Sequence, residues 1–300
     1  METPFTNFMA GLIDYAGFFP PAGLDIETAL SNYDHYLKSN NGWMLGRCVL
    51  PATELHNVAA YPGFRCSVIV SPAVSKEELD QLSNFKGNVD MVETRMPESA
   101  ISPGGCADHL LHLKSRLQMA GLHKVRLFVE AESVTPIASA IATFNNSGSG
   151  GELTVNVGYK LRCGGLVEQA FPQPEKVAKM ISICRGHGIP IKFTAGMHHP
   201  LRNRSLEIEA MQHGFINIFG AALLCWSEKL TTDEVEECLR DEAAQHFQFS
   251  KESFSWRDTT ISAGEIHRLR QSKVISFGSC AFTEPVEGLI SLGFLDNTGA

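Results

Sequence analysis

The sequence contains no apolar run as long as a membrane span. A helix needs about 20 consecutive apolar residues to cross a bilayer, and no stretch of the 300 residues approaches that length. No basic region precedes an apolar core near the amino terminus, so no signal peptide is predicted. The formal net charge of −8 argues against nucleic acid and anionic membranes as partners. We therefore expect a cytoplasmic protein that binds neither nucleic acid nor membrane.

Two common cysteine and glycine motifs are also absent. The eight cysteines form no Cys-x-x-Cys pair, and several lie in apolar patterns typical of strands or helices, which favours reduced, buried thiols over disulfides. Cys163 and Cys280 are candidate nucleophiles, although inert thiols are the simpler interpretation. No Gly-x-Gly-x-x-Gly follows a predicted strand, which argues against a dinucleotide-binding fold.

What the sequence does contain is a regular alternation of β-like runs and amphipathic helical segments. The predicted strands are 12–16, 43–50, 64–70, 88–96, 125–130, 153–162, 191–194 and 273–278. Strands that alternate with helices pair in parallel, and eight such units suit an α/β fold of the (β/α)8 TIM-barrel type. An open doubly wound sheet is the alternative.

No linker, low-complexity tract or repeat divides the chain, so we predict one domain over residues 1–300. A helical insertion is expected near the seventh strand, at about 205–258. Within it, residues 245–258 are aromatic and show no regular period. The insertion is a plausible interface for a homo-oligomer.

Two neighbouring predicted strands each carry a lysine on the side expected to face into the barrel, Lys160 and Lys192. Burial and a second nearby cation both lower the pKa of a lysine, and a neutral lysine can attack a carbonyl to form a Schiff base. Glu130 or Glu93 could then move protons. Alternatively, the lysines form structural ion pairs with inner carboxylates, or they bind an anion.

A pair of histidines follows the seventh strand in a loop bounded by glycine and proline. His198 is a candidate proton carrier and His199 a candidate substrate-binding residue. We expect no cofactor. The alternative is a divalent metal such as zinc on His198 and His199, although adjacent residues point to opposite sides of an extended chain. Further ligands for such a metal could be His213, Glu130, Glu284 or Cys280.

Arginines and glycines near the predicted strand ends indicate a small anionic substrate. Arginine forms a fork that suits carboxylate or phosphate, and backbone N–H groups at paired glycines can also face an anion. The arginines that could gather at the mouth are Arg47, Arg95, Arg126, Arg162 and Arg202, although each alone could simply be surface charge. The candidate substrate-binding residues are Arg162, Gly164, Gly165, Thr194, His199, Arg95 and Arg47.

Several motifs resemble those of an uncharacterised bacterial protein family, and the resemblance runs along the whole chain. The motifs are Lys-Leu-Arg-Cys-Gly-Gly from Lys160, Lys-Phe-Thr-Ala-Gly-Met-His-His-Pro from Lys192, His-Gly-Phe-Ile-Asn from His213 and Gly-Ser-Cys-Ala-Phe-Thr-Glu-Pro from Gly278. This resemblance implies no particular activity.

A second, more local resemblance is to class I aldolases of the deoxyribose-phosphate aldolase group. In that group a strand ending Lys-Thr-x-Thr-Gly carries the Schiff-base lysine, and the next strand carries another lysine. The segment Ile-Lys-Phe-Thr-Ala-Gly around Lys192 is similar to that motif, whereas strand order would match Lys160 to the Schiff-base lysine and Lys192 to its partner. The resemblance leaves the choice of nucleophile open.

The combined interpretation is an enzyme that acts on a small anionic carbonyl compound. The favoured reaction is lyase or aldolase chemistry through a Schiff base on Lys160 or Lys192, with Glu130 and His198 moving protons. One alternative is a metal-dependent hydrolase or lyase that uses His198 and His199. Another is a barrel that binds a ligand without catalysis, since this fold hosts many functions.

Overall fold

A computed structural model describes residues 3–147, 156–206 and 208–296, and its central feature is a closed barrel of eight parallel strands. The first seven barrel strands are β1 (Ile13–Tyr15), β2 (Leu45–Pro51), β3 (Cys66–Val70), β4 (Val89–Arg95), β5 (Arg126–Glu130), β6 (Asn156–Arg162) and β7 (Ile191–Thr194). Two short strands, β8 (Asn203–Arg204) and β9 (Met211–Gln212), then form a hairpin. An antiparallel sheet follows, made of β10 (Phe247–Phe249), β11 (Ser253–Trp256) and β12 (Thr259–Ser262). The eighth barrel strand is β13 (Val274–Ser279).

The barrel closes through pairing of β1 with β13, and the remaining strands follow in sequence order around it. This topology confirms the predicted TIM-type barrel and excludes the open doubly wound sheet, which would leave two edge strands. The start of the predicted sixth strand, residues 153–155, lies outside the described residues.

α-Helices precede, connect and follow the barrel strands. They are α1 (Pro4–Met9), α2 (Ile26–Leu37), α3 (Lys76–Asn84), α4 (Pro103–Met119), α5 (Ala138–Ser147), α6 (Pro174–Gly186), α7 (Phe215–Trp226), α8 (Thr232–Arg240), α9 (Ala263–Ser272) and α10 (Thr283–Ser291). Local sequence sets several starts: Ser75 and Glu78 form a capping box at α3, and proline opens α4 and α6. None of the described helices combines the length and apolarity of a membrane span.

The strand residues alternate between the helical layer and the barrel interior. In β5, Leu127 and Val129 join the large core between sheet and helices, whereas Phe128 packs inside the barrel with Met91 and Ile275. Because the barrel strands are covered on both faces, almost every residue of β6 and β13 is buried. Met91, Phe128 and Ile275 therefore form a small apolar cluster inside the barrel, separate from the large core.

The segment around 205–258 contains more regular structure than expected. α7 packs Phe215 and Phe219 against Phe277 and Phe193 of the barrel, so it forms part of the helical layer. The prediction of irregular structure for 245–258 is wrong, because these residues form most of the three-stranded sheet. Phe254 of this sheet contacts Phe8 of α1, and packing between distant segments has no local period that a sequence would show.

Candidate active site

A cavity of about 970 Å³ lies over the carboxyl ends of the barrel strands. Its walls come from the loops that follow β1, β6, β7 and β13, and its floor includes Glu93, Lys160 and Lys192. Barrel enzymes carry their active sites at this end of the fold, where loops of several strands converge. The cavity is therefore the candidate active site.

Glu93, Lys160 and Lys192 at the floor of the cavity belong to a continuous series of ion pairs that alternate in sign. We name it the ion-pair chain, and its members in order are Asp14, Lys192, Glu93, Lys160, Glu130 and Arg162. The distances between successive charged atoms are 2.6, 2.5, 2.7, 3.0 and 3.0 Å. Each internal member thus contacts an opposite charge on both sides.

Strand register brings these side chains to one level. Lys160 of β6 lies directly opposite Lys192 of β7 on one side and Glu130 of β5 on the other. Glu93 of β4 reaches both lysines, one with each carboxylate oxygen. A carboxylate shared by two ammonium groups offsets the repulsion that two adjacent lysines would otherwise feel.

Hydroxyl groups complete the contacts of the buried carboxylates. Ser67 of β3 donates to Glu93 at 2.5 Å, and Ser276 of β13 donates to Asp14 at 2.6 Å. The backbone N–H of Arg47 also donates to Asp14, at 2.8 Å. Sequence reasoning missed both serines, because a serine in an apolar strand carries no signal of its own.

The ion-pair chain holds its carboxyl groups in the ionised state. Burial by itself would raise the pKa of Glu93, but Lys160 and Lys192 outweigh it and hold that pKa far below its ordinary value. Burial likewise opposes ionisation of Asp14 and Glu130, yet Lys192 beside Asp14 and Lys160 beside Glu130 keep both pKa values below the ordinary range. The three carboxylates are therefore charged at neutral pH.

The expectation that Lys160 has a lowered pKa is wrong. Burial does lower it, but the carboxylates of Glu93 and Glu130 outweigh burial, and the pKa of Lys160 lies above its ordinary value. Before substrate binds, Lys160 is thus an ammonium ion in a structural ion pair, which was the alternative interpretation of the two lysines. Any imine chemistry must begin with a proton leaving this side chain.

Close contact between two loops shapes the cavity next to the lysines. A Cβ on Gly196 would lie 2.8 Å from the Cα of Gly164, and the reverse contact would be 2.7 Å. Gly196 also has a φ of +71°, in the left-handed region that favours glycine. Gly164 therefore has a packing role between the β6 and β7 loops, whereas Gly165 and Thr194 line the cavity.

The loop carrying His198 and His199 is held between two helices. α7 donates backbone N–H groups to the carbonyls of His199 and Pro200, and Pro200 packs against Gly288 of α10. This places His198 Nδ1 2.8 Å from Glu284 Oε2 and His198 Nε2 3.9 Å from Cys280 Sγ. We name these three residues the Cys–His–Glu cluster, and all of them line the cavity.

The predicted arginine cluster at the mouth does not form. Arg162 lines the cavity, with 49% of its side chain exposed. Arg47 and Arg126 lie nearer the amino ends of β2 and β5. Arg47 forms ion pairs with Asp90 and Asp14. Arg126 donates a hydrogen bond to the carbonyl of Gln271. The arginines lie at different positions along their strands. Those near the amino end of a strand therefore do not reach the cavity at the carboxyl ends.

The remaining predicted residues lie apart from the lysines. Arg95 is exposed and does not line the cavity, while Arg202 lies 3.9 Å from Glu242. His199 is exposed on the cavity wall. His213 is buried, and its Nε2–H donates to the carbonyl of Pro172 at 2.7 Å; burial lowers its pKa to about 4, which suits a packing role.

Within residues 3–147, 156–206 and 208–296, no three His, Cys, Asp or Glu side chains are arranged as a metal site. His198 directs its two ring nitrogens to Glu284 Oε2 and Cys280 Sγ. Binding of a divalent metal by His198 and His199 stays a prediction.

Comparison with known proteins gives low similarities. No protein-family model matches the chain and no curated protein matches it, so the resemblance to an uncharacterised bacterial family receives no support. Among solved structures, a deoxyribose phosphate aldolase from Aeropyrum pernix, described as having a unique tetrameric structure, is 13% identical with a TM-score of 0.44, over 65% of this chain and 80% of the aldolase.

Two further solved structures illustrate the range of matches. QR15, an aldolase, is 14% identical with a TM-score of 0.42, over 75% of this chain and 89% of its own. The aldo-keto reductase AKR11C1 from Bacillus halodurans is 9% identical with a TM-score of 0.30, over 80% and 91%. Similarities at this level assign no activity, so function has to be argued from the residues of the site.

Proposed function

We propose that the protein is an aldolase-like lyase that acts on a small anionic carbonyl compound through an imine on Lys160. The observation that carries this proposal is the pair of inward lysines joined by one carboxylate, Glu93, at the floor of the cavity. A lysine that forms an imine needs open space through which the carbonyl carbon can reach its amine. It also needs a group that accepts its proton and a second cation nearby.

Lys160 is the better nucleophile of the two lysines because it is less enclosed. Its side chain is 8% exposed, whereas that of Lys192 is 1% exposed. Lys192 Nζ also has three neighbours, Asp14, Glu93 and the sulfur of Met91 at 3.5 Å. Lys192 is therefore suited to hold Glu93 in place and to supply positive charge beneath the reacting amine. Lys160 is also the lysine that strand order matches to the Schiff-base lysine of the aldolase group, whereas the local sequence motif would have favoured Lys192.

Glu130 is the group best placed to take the proton from Lys160. Its Oε2 lies 3.0 Å from Lys160 Nζ, and Glu93 is less available because it already accepts from both lysines. Transfer of this proton leaves the net charge of the ion-pair chain unchanged, so the neutral amine forms without moving charge out of the barrel. The amine then attacks the carbonyl carbon, and the carbonyl oxygen leaves as water to give the imine.

Arg162 and His199 suit an anionic group on the substrate. Both side chains line the cavity and are partly exposed to it, and Arg162 lies two residues beyond Lys160 along β6. An arginine at this position can bind a carboxylate or phosphate while the carbonyl lies over the lysine.

Reductive trapping tests the proposal. Protein is incubated with a panel of small keto acids and phosphorylated aldehydes, reduced with borohydride and mapped by mass spectrometry. We expect one stable adduct on Lys160 with an anionic member of the panel, and at least a tenfold loss of that adduct in Lys160→Arg. Lys176→Arg, at a lysine on α6 whose side chain is 40% exposed, is the matched control and should trap as the unaltered protein does. Equal trapping in both variants, or no adduct across the panel, would overturn the proposal.

A further inference from the structure

The Cys–His–Glu cluster has the order of a nucleophile, a base and a group that orients the base. Cys280 Sγ lies 3.9 Å from His198 Nε2, and the other ring nitrogen of His198 lies 2.8 Å from Glu284 Oε2. This is the geometry by which a thiol is activated for attack, and contacts of this kind are commonly looser before substrate binds. None of the three residues belongs to the ion-pair chain.

Cys280 differs from the other cysteines in its access to the cavity. Cys48, Cys66, Cys106, Cys163, Cys184, Cys225 and Cys238 are all buried, whereas Cys280 is partly exposed and lines the cavity. Burial raises the pKa of the Cys163 thiol far above its ordinary value, so that cysteine is inert. A reagent that enters the cavity therefore meets one thiol.

The surroundings of His198 favour its role as a base. Contact with Cys280 raises its pKa, burial opposes this, and the carboxylate of Glu284 adds to the increase. Its side chain is 18% exposed, so it is held by its partners and still faces the cavity. The contact of Nδ1 with Glu284 orients the imidazole ring of His198 so that Nε2 faces Cys280 Sγ.

We propose that Cys280, His198 and Glu284 form a second reactive site in the cavity, which transfers the acyl group of a small ester or thioester to water. The Cys280 proton passes to His198 Nε2 as Sγ bonds to the acyl carbon. The bond from that carbon to the leaving oxygen or sulfur breaks, and His198 returns the proton to the leaving group. Water then attacks the acyl carbon with transfer of its proton through His198 to Sγ, which releases the carboxylic acid and restores the thiol.

Esters and thioesters suit this site better than amides. Attack of a thiol on a thioester exchanges one carbon–sulfur bond for another, and an activated ester has a good leaving group, so neither needs strong protonation of a nitrogen. A single imidazole at 3.9 Å from the sulfur is adequate for such acyl donors.

Acetylation by p-nitrophenyl acetate tests the proposal. We expect a burst of nitrophenolate equal to the protein concentration, and an acetyl group mapped to Cys280 by mass spectrometry of peptides. Cys280→Ala should abolish the burst, and His198→Gln should slow acetylation of Cys280 at least tenfold. His112→Gln, at an exposed histidine on α4, is the matched control and should acetylate at the unaltered rate.

Two results would overturn the proposal: acetyl groups on lysines with Cys280 unmodified, or equal rates in His198→Gln and His112→Gln. If a variant fails to fold, the acetylated position in the unaltered protein still decides between a reactive and an inert Cys280. Borohydride reports on the lysines and the ester reports on the thiol, so the two proposals can fail separately.

Discussion

The ion-pair chain and the Cys–His–Glu cluster face the same cavity but depend on the fold in different ways. Glu93 and Lys192 are 2% and 1% exposed, whereas Glu284 is 54% exposed. A buried charge that loses its partner is costly, while an exposed one is solvated by water. The stability of the barrel therefore depends on intact pairing within the ion-pair chain, whereas the Cys–His–Glu cluster can be changed with little effect on folding.

The largest expected effect is that of removing the most enclosed cation. Lys192→Met leaves the buried carboxylates of Asp14 and Glu93 without their shared partner, and we expect the free energy of unfolding to fall by about 3–5 kcal/mol. Urea denaturation followed by circular dichroism measures this, with Lys176→Met as the surface control, for which we expect a change below about 1 kcal/mol. A similar fall in the free energy of unfolding in both variants would mean that the barrel depends no more on Lys192 than on a surface lysine.

Acid should lower the stability that the ion-pair chain gives to the barrel. The lowered pKa values of Asp14, Glu93 and Glu130 contribute stability that is complete above the unfolded carboxyl pKa and is lost as pH falls through the folded values. We expect the free energy of unfolding to decline below about pH 4. At the alkaline end, the raised pKa of Lys160 contributes stability that is present below its unfolded pKa and lost as pH rises through the folded value.

Denaturation at a series of pH values between 3 and 7 checks the acidic limb. Glu130→Gln removes one titrating group of the ion-pair chain and should make the decline below about pH 4 shallower than in the unaltered protein. An equally steep decline in Glu130→Gln would contradict the contribution of Glu130 to stability.

An intermediate effect is expected where the two regions join. Gly196 connects the strand of Lys192 to the loop of His198, and Gly196→Ala combines a strained φ of +71° with a contact of 2.8 Å to Gly164. We expect the free energy of unfolding to fall by about 1–3 kcal/mol, because the added methyl group strains the backbone and is too close to Gly164. Gly186→Ala in α6 is the control, since a Cβ there would meet open space. A thermal shift in Gly196→Ala no larger than in this control would contradict the packing role.

The smallest effect should follow substitution in the exposed cluster. His198 and Glu284 form one partly exposed pair, so we expect Glu284→Gln to change the free energy of unfolding by less than about 1 kcal/mol. The same variant should nevertheless slow acetylation of Cys280, because His198 loses the carboxylate that orients its ring. Chemical denaturation and the p-nitrophenyl acetate assay, applied to one preparation, separate stability from reactivity. A large loss of stability would instead place Glu284 among the structural ion pairs.

Much of the barrel was predictable from local pattern. The strand β7 matches the predicted residues 191–194, because a short apolar run bounded by proline and glycine carries its own end signals. Alternation along β6 also predicted that Lys160 would face inward, and the register of β5 and β6 places Glu130 beside it. The sheet of β10–β12 escaped prediction because its aromatic residues pack against segments far away in the sequence.

The charge state of the site followed from partners that no local pattern reveals. Alternation indicated two inward lysines, and a lowered pKa was the natural expectation for two adjacent buried cations. The shared carboxylate of Glu93, and Glu130 on the next strand, reverse that expectation for Lys160. Likewise, the contact of Cys280 with His198 joins residues 82 positions apart.

By itself, the sequence determined the (β/α)8 architecture and the inward direction of the lysines, because strand period and element order are local properties of the chain. Only the tertiary structure decided which charges neutralise each other and which cysteine reaches the cavity. Those outcomes depend on interstrand register and on the packing of the loops after β6, β7 and β13, where distances of a few ångströms between distant residues set the chemistry.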